Sequence, residues 1–174
     1  MSWRRRLMNE IKADWGWNEE LQKYTAKTDP TMIICTYGGP WEEERHGQRK
    51  IPFGQQNKAT FIIVLDNKQL CKVTLHFKPG DYPFKPPNVK VGKNGYKSLL
   101  GLPDKWIEIL KIKDCPCCCS IVCNANWYSV YHIRDILTEI RKNLSTKLRI
   151  RNILLCKQFI KQKFGFYLPI EEFL

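Results

Sequence analysis

Three of the six residues in Tyr82-Pro83-Phe84-Lys85-Pro86-Pro87 are proline. Each proline fixes its own φ and lacks a backbone donor, so the run fits neither a helix interior nor a central strand. Alternating apolar residues precede it and a short apolar stretch follows. The run therefore predicts a stiff surface loop between two strands. Its φ angles are set in advance, so it loses little entropy on ordering and can present Phe84 rigidly.

Around this loop the periodicity gives an order of elements. Leu7, Met8, Ile11 and Trp15 share a helical face within residues 3–15, with Arg4, Arg5, Arg6 and Lys12 on the rest and Gly16 as the stop. Residues 31–37 read as a strand, and 40–57 as a long polar loop. Residues 59–65 read as a strand buried on both faces, Asp66-Asn67-Lys68 as a turn, and 69–77 as an alternating strand. Residues 88–91 give a last short strand. The expected fold class is α+β: an N-terminal helix, a four-stranded antiparallel meander and C-terminal helices, all in one domain spanning 1–174. Residues 106–110 fit either a helical turn or a strand. Residues 129–144 are helical, with Ile133, Ile136, Leu137 and Ile140 as the buried stripe, and 146–163 continue as a helix. Residues 141–163 carry eight Lys or Arg and no Asp or Glu, a basic helical tail.

The formal charge of +12 favours acidic partners, whether nucleic acid, an anionic surface or an acidic protein face. A solvated basic surface explains it equally well, and no nucleic-acid motif adds to it. No apolar run approaches the ~18 residues of a membrane span, so no membrane partner is expected. The first residues lack the apolar stretch of a secretory signal. A reducing compartment, cytoplasmic or nuclear, is therefore expected, with no disulfide framework. Five of the eight cysteines, Cys115, Cys117, Cys118, Cys119 and Cys123, fall within nine residues. Such crowding points to thiol chemistry or metal binding.

Two segments carry a resemblance to a known family. Phe77-Lys78-Pro79-Gly80-Asp81-Tyr82-Pro83-Phe84-Lys85-Pro86-Pro87-Asn88-Val89 resembles the proline-rich segment of ubiquitin-conjugating enzymes nearly residue for residue. Asn126-Trp127-Tyr128-Ser129-Val130-Tyr131-His132-Ile133 resembles that family's Trp-Ser-Pro start of a helix. The opening Trp3-Arg4-Arg5-Arg6-Leu7-Met8-Asn9-Glu10-Ile11 is similar to its first helix. The resemblance implies that family's fold over about residues 3–140. RWD domains share the fold and a similar proline loop.

It also implies a nucleophile eight residues before Trp127, which is Cys119, with Cys118 and Cys123 as competitors. Cys119 would carry ubiquitin or a ubiquitin-like modifier as a thioester and pass it to lysine. No cofactor is implied. The implied partners are the modifier, an activating enzyme meeting Arg4, Arg5 and Arg6, and a ubiquitin ligase meeting Phe84, Ser129 and Val130. The chain departs from the family in lacking His-Pro-Asn before the nucleophile. Asn124 or Asn126 could supply the missing oxyanion support. Ser129 replaces the family's proline, and the stretch from Pro87 to Cys119 is longer than usual. Two other readings stay open: a non-catalytic scaffold of the same kind, and a zinc site built from Cys115, Cys118, Cys119 and Cys123.

Overall fold

A computed structural model describes residues 3–20, 23–34, 57–66, 68–113 and 115–173, and the backbone alone of Trp3, Arg4, Met8, Trp17, Lys23, Tyr24, Ile34 and Glu171. Helix α1 spans Trp3–Asp14. It is followed by β1 (Trp15–Asn18), β2 (Lys23–Ala26), β3 (Asp29–Ile34), β4 (Lys58–Val64), β5 (Leu70–His76), β6 (Asn88–Val91) and β7 (Asn94–Gly95). Three short helices come next: α2 (Tyr96–Leu99), α3 (Asp104–Ile109) and α4 (Pro116–Cys119). One long helix, α5 (Ile133–Phe164), and a 3-10 turn at Ile170–Phe173 complete the chain.

The strands form one antiparallel sheet in the order β1-β2-β3-β4-β5-β6-β7. The expected four-stranded meander is thus corrected to a seven-stranded sheet, and the expected C-terminal helices to a single helix plus a 3-10 turn. The arrangement is mixed α and β. The three strands that the periodicity missed hold four, four and two residues. Strands this short show hardly one cycle of alternation. Trp15 also lies four residues after Ile11 and extended the helical pattern past its true end at Asp14. That end is capped by Lys27, whose Nζ donates to the carbonyls of Lys12 and Ala13 at 3.0 and 2.9 Å. A cation there complements the helix dipole.

Strand β4 is buried on one face only: Ala59, Phe61 and Ile63 are buried while Thr60, Ile62 and Val64 are partly covered. This corrects the expectation of burial on both faces. Residues 35–56, including most of the expected polar loop, lie outside the described residues. Residues 106–109 resolve as helix, within α3, and Leu110 is its C-cap. The expected helix at 129–144 begins only at Ile133, after a turn, and no break separates it from 146–163; α5 runs for 32 residues and ends at Gly165, whose φ of 78° favours glycine.

The core lies between the sheet and two helices. Leu7 and Ile11 of α1 and Ile133, Ile136, Leu137 and Ile140 of α5 pack with Phe61, Ile63, Val73 and Leu75. A second cluster joins Trp106 of α3, Ile150 and Ile153 of α5, and Ile170. Packing thus accounts for α5 as far as Ile153. Beyond it Leu154, Leu155, Phe159 and Phe164 are exposed.

A buried carboxylate locks α1, the proline loop and the start of α5 together. Glu10 is 2% exposed and accepts from Tyr82 Oη at 2.7 and 2.8 Å, from the Ile133 amide at 3.0 Å and from Arg6 Nε at 2.5 Å. Burial, with the Glu10 charge beside it, pushes the Tyr82 hydroxyl well above the usual tyrosine range. Tyr82 meets Phe77 edge-on at 5.1 Å, and Trp127 Nε1 donates to the Pro83 carbonyl at 2.7 Å. The stiff loop is therefore bolted to the core at Tyr82 and Pro83, and Phe84 is left outside.

Candidate active site

The cysteine segment is a series of tight turns. Pro116 sits in the first turn of α4, where its missing N–H is no loss. The amides of Cys118 and Cys119 both donate to the Cys115 carbonyl, at 2.9 and 3.1 Å. The Cys123 amide then bonds to Ser120 and the Asn126 amide to Cys123, each at 3.0 Å.

Two side chains hold these turns in place. Glu139 of α5 accepts from Ser120 Oγ at 2.7 Å, from the Ile121 amide at 2.7 Å and from Tyr96 Oη at 2.9 Å. Asn143, one helical turn further, donates to Tyr96 Oη at 2.7 Å. Burial and the adjacent Glu139 charge raise the Tyr96 hydroxyl well above its ordinary range. Asn126 Nδ2 donates to the carbonyls of Cys118 at 2.5 Å and Ser120 at 3.2 Å. The residues on either side of Cys119 are thus clamped, and Cys119 itself is exposed.

Cys119 lines an open cavity of about 580 Å³ between α2, the stretch after α3, and α5. Glu139 and Asn143 form part of its wall, and Lys111, Lys113, Lys142 and Lys147 also line it. Desolvation lowers the Lys147 ammonium from its usual value. The four lysines make the cavity attractive to anionic groups.

The other sulfurs gather on the exposed side. Cys115, Cys117 and Cys118 have their Sγ atoms within 4.8 Å of one another. The Cys115–Cys117 and Cys117–Cys118 sulfurs are 2.7 and 3.8 Å apart. Hydrogen bonding within the group lowers the Cys115 thiol and pushes the Cys117 thiol up to about 11. Cys119 and Cys123 do not belong to this group; Cys117 does, in place of the pair expected from spacing.

The remaining expected residues are spread over four places. Asn126 is committed to two backbone carbonyls, so it holds the main chain around Cys119. Asn124 is exposed and lines a different cavity, of about 490 Å³, near His76 and Lys85. Phe84 and Val130 are 77% and 74% exposed, and Ser129 is exposed beside them in sequence. The Trp127–Pro83 hydrogen bond joins the two segments that carry them. Arg5 is exposed, whereas Arg6 is tied to Glu10 and to the Ser129 carbonyl at 3.2 Å. Arg4 lies on α1, with its side chain outside the described residues.

Sequence reasoning missed Glu10, Ser120, Tyr96 and Glu139. A signal for the two glutamates existed. Glu10 lies three residues after Leu7, and Glu139 three after Ile136, so each adjoins the buried stripe of its helix. Among the described residues no helix is long and apolar enough to cross a membrane. No protein-family model, curated protein or solved structure matches the chain.

Proposed function

We propose that the chain is a divergent ubiquitin-conjugating enzyme, with Cys119 as the nucleophile that carries ubiquitin or a ubiquitin-like modifier. The observation that carries this reading is the setting of Cys119: an exposed thiol at a cavity wall, between two residues whose carbonyls are held by Asn126, with Glu139 holding the Ser120 hydroxyl and the Ile121 amide. A pinned nucleophile keeps its orientation toward an incoming carbonyl, which lowers the entropic part of the barrier.

The chemistry is acyl transfer. The Cys119 thiolate attacks the C-terminal carbonyl carbon of the modifier, held as a thioester on the activating enzyme. A new C–S bond forms at Cys119, the old one breaks, and the activating enzyme's sulfur leaves and takes up a proton. A lysine amine then attacks the same carbon. The amide bond forms, the amine gives up its proton, and Cys119 leaves as the thiol. Asn126 acts here as a positioning residue, because its amide group faces the Cys118 and Ser120 carbonyls.

The exposed Phe84, Ser129 and Val130 suit the ligase contact, and Arg5 suits the activating enzyme. A reducing cytoplasmic or nuclear setting suits a thiol nucleophile of this kind. One observation favours the second reading, a non-catalytic scaffold: the Asn126 amide is committed to two backbone carbonyls and so is not offered to an oxyanion at Cys119.

The test is a non-reducing gel after incubation with activating enzyme, ATP and modifier. Cys119 as nucleophile gives a reducible adduct that is lost in Cys119→Ala and kept in Cys118→Ala and Cys123→Ala. An adduct that survives Cys119→Ala overturns the assignment. Absence of any adduct, with binding to the modifier or a ligase retained, supports the scaffold.

A further inference from the structure

We propose that Cys115, Cys117 and Cys118 form a three-sulfur site for a soft, thiophilic metal ion, Cu(I) in trigonal coordination. Their three Sγ atoms lie within 4.8 Å of one another, gathered by one turn of chain. The backbone that gathers them is fixed independently of any ion. The Cys118 amide bonds to the Cys115 carbonyl, the Cys118 carbonyl accepts from Asn126, and Pro116 sets φ between the first two cysteines.

The dimensions suit a thiolate shell. A metal–sulfur bond of about 2.3 Å in a trigonal plane puts the sulfurs about 4 Å apart. The Cys117–Cys118 separation of 3.8 Å is already at that value. The Cys115–Cys117 separation of 2.7 Å opens by rotation of the exposed Cys117 side chain. The bound thiols lose their protons, and the ion replaces their mutual hydrogen bonds.

The donor set chooses the ion. Among the described residues no histidine or carboxylate joins the three sulfurs. Structural zinc takes four nitrogen or sulfur ligands, whereas all-thiolate sites also suit Cu(I), which needs no fourth. The site stands at the surface, so its ion is exchangeable. Cys119 is outside the trio. The inference therefore does not rest on the proposed acyl transfer.

The experiment is an anaerobic titration of the reduced full-length protein with Cu(I) against a chromogenic chelator, with a parallel Zn(II) titration. The expected result is one Cu(I) per chain, with affinity at least tenfold weaker in each of Cys115→Ser, Cys117→Ser and Cys118→Ser. Cys119→Ser and Cys123→Ser bind as the parent does, and all five variants keep the parent's circular dichroism. X-ray absorption is expected to show three sulfurs at about 2.3 Å. Equal weakening in Cys119→Ser or Cys123→Ser, a four-sulfur shell, tighter binding of Zn(II) than of Cu(I), or no retained copper each overturns the proposal. These readouts are separate from thioester formation, so neither proposal's failure is mistaken for the other's.

Discussion

Glu10 and Glu139 perform the same operation in two regions with different consequences. Each is a helical carboxylate that collects a tyrosine hydroxyl and a backbone amide from elsewhere in the chain. Glu10 is almost fully buried and joins α1, the proline loop and α5, three parts of the core. Glu139 is half-buried in a cavity wall and joins α5 to the cysteine segment. The difference teaches that one carboxylate fixes the fold, while the other fixes a surface segment that carries reactive side chains.

Glu10→Ala is the largest expected break in this comparison. It strands the Tyr82 hydroxyl and the Ile133 amide and removes the partner of Arg6. Removing one member of such a buried group costs about 3–5 kcal/mol. Urea denaturation should show that loss, and a midpoint within error of the parent would remove Glu10 from its role.

Alkaline pH acts on both hubs together. The hydroxyls of Tyr82 and Tyr96 are raised in the folded protein, so above pH ~10 the unfolded chain loses those protons while the folded chain keeps them. Stability is fully present below that pH and falls as pH rises. The fall from pH 10 to 11 is roughly 1 kcal/mol per tyrosine. Tyr82→Phe and Tyr96→Phe should each remove about half of it, and an unchanged slope in both variants would contradict the burial described here.

Glu139→Ala is expected to cost less, about 1–3 kcal/mol, because Glu139 lines an open cavity from which water can enter the space it leaves. Its effect should be local. Amide exchange and limited proteolysis should quicken in residues 115–126 well before they do in β4 and β5. Uniform quickening would make Glu139 part of the global core.

Asn126→Ala carries the smallest expected effect, about 1 kcal/mol or less of global stability. It should nonetheless loosen the Cys119 backbone and slow thioester formation relative to a parent of similar melting temperature. Full-rate thioester formation in that variant would remove the positioning role.

Much of the outline was legible in the residues. The α1 stripe, the β4–β5 hairpin and the α5 stripe each show a clean period over several residues, and the proline loop marked the start of the four-residue β6. Strands β1, β2 and β7 were illegible because they are two to four residues long and owe their existence to pairing. The expectation of a four-stranded sheet failed there. At the site, the sequence could not tell which sulfurs meet, since a tight turn decides it. Glu139 could be placed beside the buried stripe of its helix, but its partners could not be read, because they lie 18, 19 and 43 positions away.

By itself the sequence determined the stiff loop at residues 82–87, the apolar faces of α1 and α5, and the crowd of thiols between Cys115 and Cys123. These follow from local chemistry: a ring that fixes φ, a period that matches a helix, and residue identity. Only the tertiary structure decided that Tyr82 and Ile133 meet on Glu10, that Glu139 and Asn126 grip the chain around Cys119, and that Cys117 joins Cys115 and Cys118. Those outcomes depend on hydrogen bonds between distant segments and on the path of a turn, which no periodicity records.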